Sequence, residues 1–134
     1  MTTNREILIG NKGSDYVSLK IISGPDREDW SRAEIEVHCD GFSGTIRGEF
    51  WESELANFGK EVRELQADLS GEAILKPIEP NIELTLKGDG KGHINVTGVA
   101  QNHFERRTKL HFRFEIDQTY LKTIADAIDV AGRR

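Results

Sequence analysis

Apolar and polar side chains alternate along most of this chain, and the alternation defines a series of strands. In the segment 109–116, apolar residues from Leu110 to Ile116 occupy every second position, and His, Arg and Glu lie between them. A period of two is typical of a strand that buries one face and exposes the other. Similar or shorter patterns predict seven further strands, at residues 5–9, 16–22, 35–39, 46–50, 73–75, 82–86 and 93–99.

Two segments change from this period to helical spacing. Ser53 is positioned as an N-cap for a helix over 53–69 that Ser70-Gly71 would close, and Asp117 as an N-cap for a helix over 118–131. Gly59, inside the first helix, predicts a close approach to the sheet. Both helices carry apolar residues three or four positions apart, which predicts one buried face each: Leu55, Phe58, Val62, Leu65 and Leu69, then Leu121, Ile124, Ala125 and Ile128.

Four strands and a helix, twice over, predict an α+β fold in a single domain over 1–134. We expect a mostly antiparallel, strongly curved sheet of about eight strands, either one bent sheet or two layers, covered by two helices. When the sequence is aligned with itself at an offset of 66 residues, the two predicted strand-to-helix junctions match. An architectural pseudo-repeat, a true duplication or coincidence would each produce that match. The predicted core comprises Val17, Leu19, Ile21, Ile35, Val37, Ile46, Phe50, Leu55, Phe58, Val62, Leu65, Leu84, Leu86, Ile94, Val96, Leu110, Phe112, Phe114, Leu121 and Ile124.

Charge and composition narrow the classes of partner. The 134 residues carry a net charge of −5, which originates in the first half of the chain. An acidic protein is poorly suited to phosphate backbones, so we expect no direct nucleic-acid binding and instead a basic protein partner. No apolar run approaches the ~20 residues that span a bilayer. A single cysteine and an N-terminus without signal-peptide layout lead us to expect a cytoplasmic protein.

No reaction can be read from the side chains. The four histidines do not have metal-ligand spacing, and Cys39 shares the parity of buried neighbours, which predicts an inert core thiol. The glycine-rich segment Gly88–Gly92 lies between two alternating strands, so it predicts a hairpin and not a phosphate-binding loop. We therefore predict no catalytic residue, no cofactor and no metal.

A series of short motifs in fixed order resembles one bacterial family. These landmarks are Trp30, the Ile35/Val37 strand, Gly41-Phe42-Ser43-Gly44, the helix from Leu55 to Leu65, Glu79-Pro80, Gly92-His93-Ile94 with Val96, and Asp117-Gln118-Thr119-Tyr120-Leu121. Over nearly the whole chain they resemble the WapI-type immunity proteins.

The resemblance implies a non-enzymatic cytoplasmic protein. Such a protein binds and blocks the C-terminal domain of a cognate bacterial toxin, a class that includes nucleases attacking RNA. It implies neither an oligomeric state nor a catalytic residue. The alternative is a small-ligand carrier or an enzyme of unknown substrate, in which sheet and helix enclose a pocket.

One loop has the composition of a protein interface. Residues 26–30 combine three carboxylates with an aromatic side chain, directly after Pro25, which keeps the segment out of the strand ladder. Trp30 either anchors the loop on the core or presents an anchor to the partner, and we favour a structural role for both Trp30 and Trp51. The hypothetical partner-binding residues are Asp26, Glu28, Asp29, Trp30, Glu34 and Glu36.

Overall fold

A computed structural model describes residues 5–132. Its elements confirm the predicted α+β class and the predicted order of four strands and a helix, twice over. A short 3₁₀ turn, Phe104–Arg106, lies between the last two strands. The elements are β1 Glu6–Gly10, β2 Tyr16–Ser23, β3 Trp30–Cys39, β4 Phe42–Trp51, α1 Glu52–Asp68, β5 Ser70–Leu75, β6 Ile82–Asp89, β7 His93–Ala100, β8 Leu110–Asp117 and α2 Tyr120–Ala131.

The eight strands form two four-stranded sheets, with the orders β1-β2-β3-β4 and β5-β6-β7-β8. Every pairing is antiparallel and joins strands that follow one another in sequence. The tightest connection is the turn Asp40-Gly41, whose φ angles of 51° and 83° suit a two-residue hairpin. Of the two arrangements left open by the sequence, a single bent sheet is excluded, because the strands form two separate sheets.

The buried side chains of both sheets and both helices belong to one continuous hydrophobic cluster. In the first sheet, for example, Ile7, Leu19, Ile35 and Ile46 lie on one rung and point to the same face. Every predicted core residue is buried except Ile46 and Leu110, which are partly buried.

Each helix packs mainly on the half of the molecule to which it does not belong. α1 packs against β5 and α2, whereas α2 packs against β1 and α1. Each buried residue of α1 has a buried counterpart in α2 that lies 66 residues later in the sequence. The two strand-to-helix junctions are related by the same offset, so the two halves share one architecture. The matched pairs are Leu55 and Leu121, Phe58 and Ile124, Gly59 and Ala125, Val62 and Ile128, and Leu65 and Ala131.

The predicted start of α1 is wrong, because other groups satisfy its first N–H groups. Trp51, not Ser53, is the N-cap residue, and its backbone N–H donates to Glu54 Oε1 at 2.7 Å. The N–H of Glu52 donates to the carbonyl of Asp29 at 2.9 Å. A glutamate at the third helical position thus replaces the hydroxyl cap that the sequence predicted.

Two other helix ends also differ from prediction. The N-cap of α2 is Thr119, while Asp117 Oδ1 accepts the N–H of Thr119 at 2.9 Å in the preceding turn, a hydrogen bond that lowers the pKa of Asp117. α1 closes on Leu69 in the left-handed conformation, with φ of 61°, and β5 already begins at Ser70. Neither described helix is both long and apolar enough to cross a membrane.

Gly59 makes a close approach, but to α2 and not to the sheet as the sequence suggested. A Cβ at this position would lie 2.9 Å from Cγ2 of Ile128. That methyl is attached directly to the Cβ of a stiff, β-branched side chain, so it cannot swing away. The glycine therefore sets how closely the two helices approach.

We expect Gly59→Ala to destabilise the protein although alanine favours helices by roughly 0.5–1 kcal/mol over glycine. Overpacking against Ile128 should lower the free energy of unfolding by about 1–3 kcal/mol, measured in urea. In an Ile128→Ala background the same substitution should become neutral or stabilising, because the opposing methyl is gone. Stabilisation by Gly59→Ala in the unaltered protein would contradict this account of the helix contact.

Candidate partner-binding surface

The predicted acidic loop is a well-defined turn held by one carboxylate. Asp26 Oδ1 accepts the N–H groups of Glu28 at 2.8 Å and Trp30 at 3.0 Å. The N–H of Asp26 donates to the carbonyl of Trp30 at 2.9 Å, and that of Asp29 donates to the carbonyl of Asp26 at 3.1 Å. Asp26 is therefore a positioning residue, while Glu28 and Asp29 are exposed on the turn that it organises.

Two tryptophans lie beside this turn. The register of β3 and β4 places Trp30 opposite Trp51, and their ring centroids are 4.9 Å apart with the ring planes tilted by 47°. Ser31 and Phe50, the next pair along, are buried, so the two indoles lie on the opposite, outer face of the sheet. Trp30 is partly buried, but Trp51 is 36% exposed. The pair thus supports the turn and also presents an aromatic surface.

The start of α1 completes a shallow hollow of about 400 Å³ next to the indoles. Three acidic residues, Glu28, Asp29 and Glu52, belong to its lining. The N-terminus of a helix favours nearby negative charge, which offsets part of the repulsion among these residues. Trp51, Ser53 and Ala56 form the remaining wall. A cationic side chain with an apolar stem would find both charge and contact area here.

Glu34 and Glu36 do not join this hollow. They lie four and six residues along β3 from Trp30, roughly 13 and 20 Å away at the usual rise of a strand. Glu34 stands between Lys20 and Arg47 on the neighbouring strands, which offset its charge. The structure therefore separates these two predicted partner-binding residues from the other four.

The outer face of the first sheet carries both signs of charge. Arg32 and Glu49 form an exposed ion pair at 3.4 Å. A hydrogen bond from Lys12, aided by one from Ser18, lowers the pKa of Glu6. This face therefore carries charges of both signs, whereas the lining of the hollow contains the acidic residues Glu28, Asp29 and Glu52.

Other titratable groups have structural explanations. Cys39 is buried and its thiol donates to the carbonyl of Arg113 at 3.3 Å. Burial raises the pKa of this thiol, as expected for an inert core cysteine. Asp89 closes the predicted hairpin by accepting the N–H groups of Lys91 and His93. Within residues 5–132, no three His, Cys, Asp or Glu side chains are grouped to hold a metal ion.

The sequence analysis assigned Trp51 a structural role and did not predict the hollow that it lines. The register that brings Trp51 onto Trp30 follows from the two-residue turn Asp40-Gly41, because counting outward from the Cys39–Phe42 pair matches the two tryptophans. That signal was present in the sequence, as a hairpin dipeptide between alternating strands. The sequence alone did not show that the first residues of α1 line the same hollow as the turn at 26–29, because that depends on where the fold places the turn.

The chain matches a known protein family. The family model described as the immunity protein WapI-like family matches residues 7–132, nearly the whole chain. No curated protein matches the chain.

Asp26 offers a direct test of the turn. We expect Asp26→Ala to lower the free energy of unfolding by about 1 kcal/mol, because two backbone N–H groups lose their acceptor. Asp26→Asn keeps an acceptor oxygen and should cost clearly less. Glu28→Ala, an exposed truncation in the same turn, is the matched control and should change stability by less than ~0.5 kcal/mol. Equal losses for Asp26→Ala and Glu28→Ala in urea denaturation would show that Asp26 does not hold the turn.

Proposed function

The chain belongs to the immunity protein WapI-like family, and from this membership we propose that it is a non-enzymatic immunity protein that binds and blocks the C-terminal domain of a cognate bacterial toxin in the cytoplasm. The match over residues 7–132 is the observation that carries the proposal. It covers both sheets and both helices, so it concerns the whole fold and not a local motif.

We further propose that the toxin surface is basic and that the hollow at the start of α1 binds it. Glu28, Asp29 and Glu52 supply negative charge, and Trp51 supplies an exposed aromatic group beside them. Charged groups at the rim and an aromatic anchor are a common composition for protein interfaces. A toxin that cleaves nucleic acid needs a basic substrate groove, and an acidic protein can occupy such a groove in place of phosphates.

The direct experiment pairs the protein with the C-terminal domain of a large secreted protein encoded beside its gene. Co-expression should protect cells from that domain, and the two purified proteins should form a stable complex. A catalytically inactive variant of the toxin domain allows the affinity to be measured by calorimetry. If the neighbouring domain is toxic but neither binds this protein nor is neutralised by it, the proposed pairing is wrong.

Charge changes in the hollow test its role in association. We expect Glu28→Lys combined with Asp29→Asn to slow association about tenfold at low ionic strength and to flatten its salt dependence, because rim charges act mainly on encounter. Asparagine is chosen at position 29 because the backbone there has φ of 64°, which this residue tolerates. Glu64→Lys with Asp68→Asn makes the same charge change on exposed positions elsewhere on α1 and should leave the rates nearly unaltered.

Truncation of the tryptophans separates binding from stability. Trp51→Ala should accelerate dissociation by about thirtyfold, near the 2 kcal/mol of an interface anchor, and should lower the melting temperature less than Trp30→Ala does. Trp30→Ala should lower the melting temperature as well, because Trp30 is the more buried ring and borders the turn. Phe104→Ala removes an exposed aromatic ring outside the hollow and serves as the control. Unchanged dissociation for Trp51→Ala would exclude it from the interface.

A further inference from the structure

A second concavity lies at the far end of the β3–β4 hairpin from the tryptophan pair. It is a groove of about 570 Å³ between this hairpin and the segment 100–110, which joins β7 to β8. This size falls within the roughly 300–1,000 Å³ of small-molecule sites. The surface of the groove is mostly apolar, and its apolar lining residues are Val37, Phe42, Ile46, Ala100 and Leu110.

The wall of this groove is fixed by hydrogen bonds. The side-chain amide of Asn81, itself buried, donates to the carbonyls of Gln101 at 3.0 Å and Asn102 at 3.3 Å. The side chain of Gln101 donates in turn to the carbonyl of Pro80 at 3.1 Å. These contacts anchor the first residues of the joining segment on the neighbouring loop, so the groove is a built feature of the fold.

Apolar groups that a closed core would bury are open to this groove. Ile46 and Leu110 have the parity of core residues, yet they remain partly exposed because both face the groove. Phe42, at the rim, is 66% exposed. Covering apolar surface of this kind is favourable by roughly 25 cal/mol per Å². An occupant with an apolar body would therefore gain most of its binding energy here.

Cationic side chains border the same groove. Arg106 and Lys109 line it together with His103. Among residues 5–132, no carboxylate forms an ion pair with Arg106 or Lys109. Arg106 and Lys109 thus place positive charge at the edge of an apolar groove. They complement an anionic group, for which Arg and Lys are the usual partners.

We propose that this groove binds a small amphiphilic anion, an apolar chain or ring that ends in a carboxylate or a phosphate. The apolar body would lie against Ile46 and Leu110, and the anionic head would reach Arg106 and Lys109. The groove is distinct from the acidic hollow, and this binding does not depend on the proposed toxin partner.

The test uses simple probes and the whole chain. Decanoate and decyl phosphate, each below its micelle-forming concentration, should bind with one-to-one stoichiometry in calorimetry. Decanol and decyltrimethylammonium should bind at least about tenfold more weakly, because they lack the charge that the two cations recognise. A preference between the two anions identifies the head group. In NMR spectra of the backbone amides, the shifts should concentrate at residues 42–46 and 100–110.

Two matched variants complete the experiment. Arg106→Gln with Lys109→Gln should weaken both anions at least about fivefold and leave decanol unaffected, since only the charged contact is removed. Lys87→Gln with Lys91→Gln removes the same charge from exposed positions at another hairpin and should have no effect. Failure of both anions to bind, or equal binding to the two double variants, would overturn the proposal. An acidic peptide that carries tryptophan and leucine is a further probe. If this peptide binds at the groove and neither anion does, the groove is a protein-docking surface and the proposal is wrong.

Discussion

The fold depends on an exchange of helices between its two halves. Each half ends in a helix, and that helix lies mainly against the first strand of the other half's sheet. A half on its own would therefore leave apolar sheet surface exposed to water, which only the partner helix covers. The glycine at position 59 lets the two helices meet closely beside Ile128. This shared burial is why we propose that the whole chain folds as one domain.

Both candidate sites lie on the surface of this packed interior, at the two ends of the β3–β4 hairpin. The register of this hairpin is set by a two-residue turn and then maintained over ten pairs of residues. One end of the hairpin carries the two tryptophans and meets the start of α1. The other end carries Phe42 and borders the apolar groove. A single regular element thus positions both candidate sites.

Periodicity was sufficient to predict the elements and nearly all of the core, because burial on one face repeats every two or every 3.6 residues regardless of long-range contacts. The ends of the helices were harder to predict from the sequence. Ser53 is a good N-cap by residue type, but the carbonyl of Asp29 and the carboxylate of Glu54 satisfy the first N–H groups of α1 instead. Ile46 and Leu110 show the same limitation in the core. Their parity is correct, yet their exposure depends on how far the segment 100–110 stands from the hairpin, a distance that no local pattern records.

The charges of the two ends have opposite signs, and this affects how each can bind. The hollow with Glu28, Asp29 and Glu52 lies about 30 Å from the far end of the hairpin, at the usual rise of a strand over nine residues. At physiological ionic strength the screening length is only about 8 Å, so neither end strongly alters the potential at the other. A basic partner is attracted to one end while the other end remains suited to an anion. On the sheet between them, Glu34 lies opposite Lys20 and Arg47, and these mixed charges favour neither kind of partner. The net charge of −5 therefore conceals two surfaces with separate electrostatic preferences, which lie at the two ends of one hairpin.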